Sequence, residues 1–218
     1  MSRSRKAWFW VVGGITLCGF ACVSICIGQS MFESWRARNF LRIISTMQPG
    51  TTTEADALSA LRGYGSGAES TSIGERFLSR VWDEGSRTFL EANGRGYSFS
   101  NSGLHLLHLA DRKTIHGTLF FRQSRLVLMF AAQSESGNHE CFVSVRDASR
   151  DFSDLPDPQD GEAITLDERG SPLTLILVNV YPSATRSDKS KAFALNPSRL
   201  TSLLPCQDAR ILIPHLSK

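Results

Sequence analysis

The strongest constraint on the fold is a run of 22 residues without a charged side chain, from Ala7 to Gly28. As an α-helix this run rises about 33 Å, which is enough to cross a hydrocarbon core of about 30 Å. Three basic residues precede the run: Arg3, Arg5 and Lys6. Trp8 and Trp10 stand at its start, where interfacial aromatic residues are common. The pattern predicts a tail at residues 1–6 and a single transmembrane helix, a signal-anchor, at residues 7–28.

A cleaved secretory signal and a lipoprotein leader are the alternatives to a retained anchor. The apolar part of a cleaved signal is usually about 7–15 residues long and ends in a small-x-small site. Here the run is longer, and only Cys26-Ile27-Gly28 offers such a site. In Gly19-Phe20-Ala21-Cys22, only Ala21 fits the pattern of a lipoprotein leader. We favour the anchor, and both alternatives stay open.

Charge indicates which class of partner to expect. The chain has 24 Lys and Arg, three of which precede the first acidic residue, Glu33, so 21 remain to balance the 21 Asp and Glu of residues 29–218. A neutral domain lacks the concentrated basic surface of a nucleic-acid binder, and we expect no nucleic-acid partner. The short basic tail favours a cytoplasmic N-terminus in the cytoplasmic (inner) membrane, with the C-terminal domain outside.

Small residues recur at every fourth position through the apolar run: Gly14, Cys18, Cys22, Cys26 and Ser30. Such rows let two membrane helices approach closely, which predicts a packing face for a homodimer or another membrane protein. The alternative is that cysteine acts as a small apolar residue and that the spacing is chance. No His, Asp or Glu lies within residues 7–28 to complete a metal site.

Residues 29–65 are predicted to form a juxtamembrane helical pair. Apolar residues three or four apart indicate an amphipathic helix that ends at Pro49-Gly50, and Thr52 or Thr53 can cap a second helix. Three arginines of the first helix are candidates for lipid-headgroup contacts: Arg36, Arg38 and Arg42. A solvated polar face is the simpler interpretation of these arginines, and we favour it.

Residues 66–218 have a mainly antiparallel β pattern. Short apolar runs predict five strands, at Leu104–Leu109, Ile115–Arg122, Arg125–Gln133, Cys141–Arg146 and Leu173–Tyr181. Gln123-Ser124 is a candidate hairpin turn, and Asn196-Pro197 begins a short C-terminal helix. The predicted class is α+β: a transmembrane helix and two helices, then an antiparallel sheet of about five strands and a short helix.

Few residues are candidates for chemistry. Cys141 and Cys206 are the cysteines outside the apolar run, and in an oxidising compartment they would form a disulfide. Two independent buried thiols are the alternative. The five histidines are scattered, and nucleophile-elbow, phosphate-loop and dinucleotide motifs do not occur. We therefore assign no catalytic residue, metal ligand or cofactor.

Two stretches resemble known groups. Met47-Gln48-Pro49-Gly50-Thr51-Thr52-Thr53-Glu54-Ala55 to Leu61, with Tyr64-Gly65, resembles the helix–Gly-Thr–helix opening of the SmpA/OmlA (BamE-like) envelope proteins. The resemblance implies two helices packed on a short sheet and a role in outer-membrane assembly. The anchor, Gln48 to Gly65, Leu104–Ala110 and Leu204-Pro205-Cys206-Gln207-Asp208-Ala209-Arg210 to Pro214 together are similar to uncharacterised single-pass bacterial envelope proteins. That similarity implies a topology and no mechanism.

These features predict a single-pass envelope protein that acts by contact with a protein or the lipid bilayer. The alternative is a membrane-anchored hydrolase whose site forms only in the fold.

Overall fold

The computed structural model describes residues 3–64, 93–136, 140–149, 163–168, 173–180 and 184–214. These residues form an α+β fold. The helices and strands, in chain order, are α1 (Arg3–Ile44), α2 (Glu54–Ala60), β1 (Asn93–Ser100), α3 (Ser102–Leu106), β2 (Arg112–Arg122), β3 (Arg125–Ser136), β4 (Glu140–Ala148), β5 (Ala163–Glu168), β6 (Leu173–Val180) and α4 (Arg186–Ala192). Two 3₁₀ helices follow, at Pro197–Thr201 and Ala209–Leu212.

Helix α1 is 42 residues long and joins the predicted anchor to the folded domain without a break. Its segment Trp10–Ile44 is long and apolar enough to cross a membrane. No glycine or proline occurs between Gln29 and Ile44, so nothing in this stretch favours a kink. The two further helices expected before the sheet are therefore not matched exactly: the first is the continuation of the anchor, and only α2 is a separate helix.

The C-terminal half of α1 packs on the sheet. From Ser30 onward the helix buries one stripe: Ser30, Ser34, Ala37, Phe40, Leu41 and Ile44. The spacing of three and four residues is that of a single helix face. One hydrophobic core lies between this face and the facing residues of β1, β2, β3, β4 and β6, and α2 and the C-terminal 3₁₀ helices close it. The side chains of β5 lie outside the described residues.

The six described strands form one sheet in the order β1-β2-β3-β4-β6-β5. Strands β1 to β4 are antiparallel neighbours, β4 and β6 are parallel, and β5 pairs antiparallel with the outer side of β6. The predicted antiparallel sheet of about five strands is thus corrected to a mixed sheet of six. The sequence pattern did not predict β5, because its short apolar alternation lies within an acidic stretch. The sheet is mixed because β6 lies between β4 and β5 and pairs in parallel with β4.

Four of the five predicted strands are present as β2, β3, β4 and β6. The strand predicted at Leu104–Leu109 is wrong, since these residues lie in α3 and the turn after it. Asn101 explains the difference. Its side chain donates to the carbonyl of Asp111 at 2.8 Å and accepts from the amide of Lys113 at 2.8 Å. These bonds close residues 102–111 into a loop between β1 and β2, a role suited to asparagine.

The predicted turns are also present. Helix α1 ends before Pro49-Gly50, and Gly50, at φ 87°, donates to the carbonyl of Leu126 at 2.7 Å. Thr53, rather than Thr52, caps α2 by accepting from the amide of Asp56 at 3.1 Å. The β2–β3 hairpin turns at Gln123 and Ser124, which have φ of 50° and 59°. Both residues hold the left-handed conformation that glycine would adopt with less strain.

Candidate functional site

One end of the sheet lies beside the last turn of the apolar run of α1. Helix α3 makes the contact: a Cβ atom on Gly103 would stand 3.1 Å from Sγ of Cys26 and 3.1 Å from Oε1 of Gln29. We call this the basal end; it comprises α3 and its turn, the start of β2, the end of β3 and residues 202–206. The opposite end, with the Gln123-Ser124 turn and the start of α2, is the distal end.

Three charged side chains form a buried cluster at the basal end. Glu135 lies 3.3 Å from Nζ of Lys113 and accepts two hydrogen bonds of 2.8 Å from Arg199. The side chains of Lys113 and Glu135 are 0% and 1% exposed. Burial lowers the pKa of Lys113, and the nearby Glu135 carboxylate opposes that shift. Because one carboxylate faces two cations, the cluster depends on Glu135.

The cluster fixes the backbone at Leu204. Its carbonyl accepts from Nζ of Lys113 at 2.7 Å and from Nη2 of Arg199 at 3.0 Å. Its amide donates to Oγ of Ser202 at 3.2 Å, and Ser202 also accepts from Nη1 of Arg199 at 3.0 Å. The backbone is held on both sides while the side chains of Leu203 and Leu204 project outward, 57% and 71% exposed.

The predicted disulfide is present: Cys141 of β4 is bonded to Cys206, 65 residues later. Both cysteines are buried. Cys141 lies opposite Glu135 in the sheet, and Cys206 is two residues after Leu204. The disulfide therefore ties the segment that carries Leu203 and Leu204 to the same part of the sheet as the charged cluster.

A glutamine on β3 aligns the C-terminal segment. The Gln133 side chain accepts from the amide of Asn196 at 3.1 Å and donates to its carbonyl at 3.0 Å. Asn196 also donates from Nδ2 to the carbonyl of Ile211 at 3.0 Å. Sequence reasoning missed Gln133 and all three charged residues, because polar residues near strand ends are common and their partners are distant in sequence.

The basal end also carries exposed apolar side chains. Among the residues that the structure describes outside α1, the large apolar side chains that remain exposed are five leucines, Leu106, Leu107, Leu109, Leu203 and Leu204. By contrast, the turn at the distal end exposes Arg122, Gln123, Ser124 and Arg125. The exposed side chains of the turns therefore differ in polarity: they are leucines at the basal end and polar or charged residues at the distal end.

The predicted packing row on α1 divides into two parts. Gly14, Cys18 and Cys22 are exposed. Cys26 lies against Gly103 of α3, and Ser30 is buried by the folded domain. A helix partner along the whole row stays a prediction, with three of its five residues exposed.

The three arginines proposed for lipid-headgroup contact have different surroundings. Arg36 lies 3.1 Å from Glu33, donates to the carbonyl of Tyr64 at 2.8 Å and stands 5.6 Å from the ring centre of Phe99. Arg38 and Arg42 are exposed. Headgroup contact stays a prediction for all three, and Arg36 has structural partners within the protein.

An open, mostly apolar groove of about 490 Å³ lies at the distal end. Its lining comes from the start of α2 and from the hairpin turn: Thr53, Glu54, Ala55, Leu58, Gln123, Ser124 and Arg125. Among the described residues, no group of three or more His, Cys, Asp or Glu could hold a metal ion. His105 and His108 are exposed on α3 and its turn.

No protein-family model matches the chain, and comparisons with curated proteins and with solved structures give no match. The resemblances to SmpA/OmlA (BamE-like) proteins and to single-pass envelope proteins therefore stay predictions.

Proposed function

We propose that the protein is a single-pass membrane-anchored domain that works by contact with a protein or lipid partner outside the cytoplasmic membrane. The observation that carries the proposal is the continuity of α1. The helix is exposed through its apolar N-terminal half and forms part of the domain core through its C-terminal half. A flexible tether would leave the domain free to rotate, whereas this helix holds it at one height and orientation.

The disulfide supports a location outside the cytoplasm. Structural disulfides persist in oxidising compartments and are rare in the cytosol. With a cytoplasmic tail at residues 1–6, the bonded Cys141 and Cys206 lie in the periplasm or outside the cell.

The distal groove supports contact as the mode of action. It is open and mostly apolar, and its lining combines Leu58 with the charged Glu54 and Arg125. An open groove suits a peptide or protein surface better than a small substrate, which is usually enclosed. If α1 stands upright in the bilayer, this groove faces away from the membrane.

The topology is tested in bacterial cells that express the full-length chain. We expect alkaline carbonate to leave the protein in the membrane fraction and external protease to digest the domain in intact spheroplasts. Release by carbonate contradicts the anchor, and protection from protease contradicts the orientation.

The contact itself is tested by crosslinking in native membranes followed by mass spectrometry. A photoreactive amino acid at Leu58, in the distal groove, is compared with one at Ser187 on the exposed side of α4. We expect recurrent adducts with a specific partner at Leu58 alone. Equal, non-specific labelling at both positions contradicts a contact function for the groove.

A further inference from the structure

We propose that the basal end is a second membrane-contact site, at which the exposed leucines of the folded domain insert into the leaflet beside α1. The inference rests on the proposed anchor and adds to it a monotopic contact made by the domain itself. Its ligand is the acyl-chain region of the bilayer, just below the headgroups.

The height of α3 along α1 is the first argument. Gly103 packs against Cys26 and Gln29, which flank the end of the uncharged run at Gly28. Because that run spans about 33 Å and the hydrocarbon core is about 30 Å thick, its end lies at the hydrocarbon–headgroup boundary. Leu106, at the end of α3, is 79% exposed and follows Gly103 by three residues, about one helical turn.

The second argument is the rigidity of the backbone that carries Leu203 and Leu204. Leu203 and Leu204 stay exposed although Lys113 and Arg199 both bind the Leu204 carbonyl and Cys206 is bonded to β4. A loop without these contacts would be free to turn its apolar side chains inward. Here buried charges and a disulfide hold them outward at the same end of the sheet as α3.

The exposed surface of α1 favours a bilayer over a protein as the occupant. Beyond Gly28 the helix still exposes Met31, Phe32 and Trp35, the last at 60%. Trp10 and Trp35 are separated by about 37 Å along the helix, close to the full bilayer thickness of about 40–45 Å with its headgroups. Tryptophans at both boundaries are typical of membrane helices. The stretch of α1 between Gly28 and Trp35, which α3 adjoins at Gln29, therefore lies in the boundary layer.

The test places a photoreactive amino acid at single positions of the full-length protein in vesicles of phosphatidylethanolamine and phosphatidylglycerol. Leu107 and Leu204 report on the basal end, and Gln123, exposed at the distal end, is the matched control. We expect a several-fold excess of lipid adducts at both basal positions over Gln123. Equal yields at the three positions would overturn the proposal, as would basal adducts with protein alone in native membranes.

The same samples separate this inference from the anchor on which it rests. Carbonate extraction reports on α1, and non-reducing gels report on the Cys141–Cys206 bond and thus on folding. A protein that stays in the membrane fraction with its disulfide intact, and gives no basal lipid adducts, contradicts the second contact and leaves the anchor standing. Release by carbonate contradicts both.

Discussion

The ring of Phe40 on α1 lies directly on the backbone of Gly117 in β2. A Cβ atom on this glycine would come within 2.2 Å of Cε1 of the ring, a distance that non-bonded carbon atoms do not reach. Phe40 is fully buried, and its ring centre lies 5.0 Å from that of Tyr97 and 5.3 Å from that of Phe99. Gly117 is therefore what lets the anchor helix approach the sheet.

The first prediction concerns this contact. Gly117→Ala forces Phe40 out of its position, and we expect a loss of about 1–3 kcal/mol in the free energy of unfolding. Urea unfolding of the full chain in detergent micelles measures the loss. Gly63→Ala is the matched control, because no atom lies within 4 Å of the added carbon. A Gly117→Ala protein as stable as the Gly63→Ala control would show that the contact is not tight.

The second prediction concerns the disulfide. Replacing Cys141 and Cys206 together by serine removes a link between residues 65 apart, and we expect a loss of about 2–4 kcal/mol. Cys18→Ser with Cys22→Ser is the control, because both thiols are free and exposed. Thermal unfolding with and without reductant supplies the measurement. Reductant should lower the unfolding temperature of the control protein as much as that of the parent. It should leave the unfolding temperature of the variant without Cys141 and Cys206 unchanged.

Much of this architecture could be predicted from local patterns. The apolar run, the Pro49-Gly50 break, the Thr53 cap and the strand that begins at Leu173 are each encoded within about ten consecutive residues. The pairing of Cys141 with Cys206 followed from counting cysteines outside the run. The first four features depend on neighbouring residues, and the disulfide could be predicted because no third cysteine lies outside the apolar run.

The rest depends on contacts between distant segments. The position of β6 between β4 and β5 is set by the assembled sheet and leaves no local trace. The charged cluster joins Lys113, Glu135 and Arg199, which lie on three elements and are ordinary polar residues in the sequence. The loop that replaces the predicted strand at Leu104–Leu109 depends on Asn101, whose partners lie at least ten residues away.

The third prediction concerns the charged cluster. Glu135→Gln leaves two cations without their carboxylate in a buried site, and we expect a loss of about 3–5 kcal/mol. Lys113→Met should cost less, since Glu135 keeps its paired hydrogen bonds with Arg199. Urea unfolding of the two variants measures which of them loses more stability. If Lys113→Met were the more damaging change, the lysine's bond to the Leu204 carbonyl would outweigh the charge balance.

The fourth prediction distinguishes the arginines of α1. Arg36→Ala removes the hydrogen bond to the Tyr64 carbonyl and the contact with the Phe99 ring, and we expect a loss of about 1–2 kcal/mol. Arg38→Ala is the control, because that side chain is exposed. The free energy of unfolding in detergent should differ between the two variants. Their affinity for anionic vesicles should differ only if Arg38 contacts headgroups. Equal stability would mean that Arg36 is as solvated as Arg38.

The fifth prediction concerns the pH dependence that Asp147 confers. Asp147 is buried and lies 2.7 Å from Nζ of Lys189. Burial raises the pKa of its carboxyl above 3.8, and Lys189 only partly opposes the rise. A folded state with the higher pKa binds the proton more readily than the unfolded state, so this carboxyl stabilises the fold below pH 3.8 and loses that contribution as pH rises through its folded pKa. Asp147→Asn lacks this dependence, and the parent should gain stability relative to the variant as pH falls from neutrality towards 3.8. Urea unfolding of both proteins across that range measures the difference in their free energies of unfolding. If this difference stays constant, or changes in favour of the variant as pH falls, then Lys189 and not burial determines the pKa of the carboxyl.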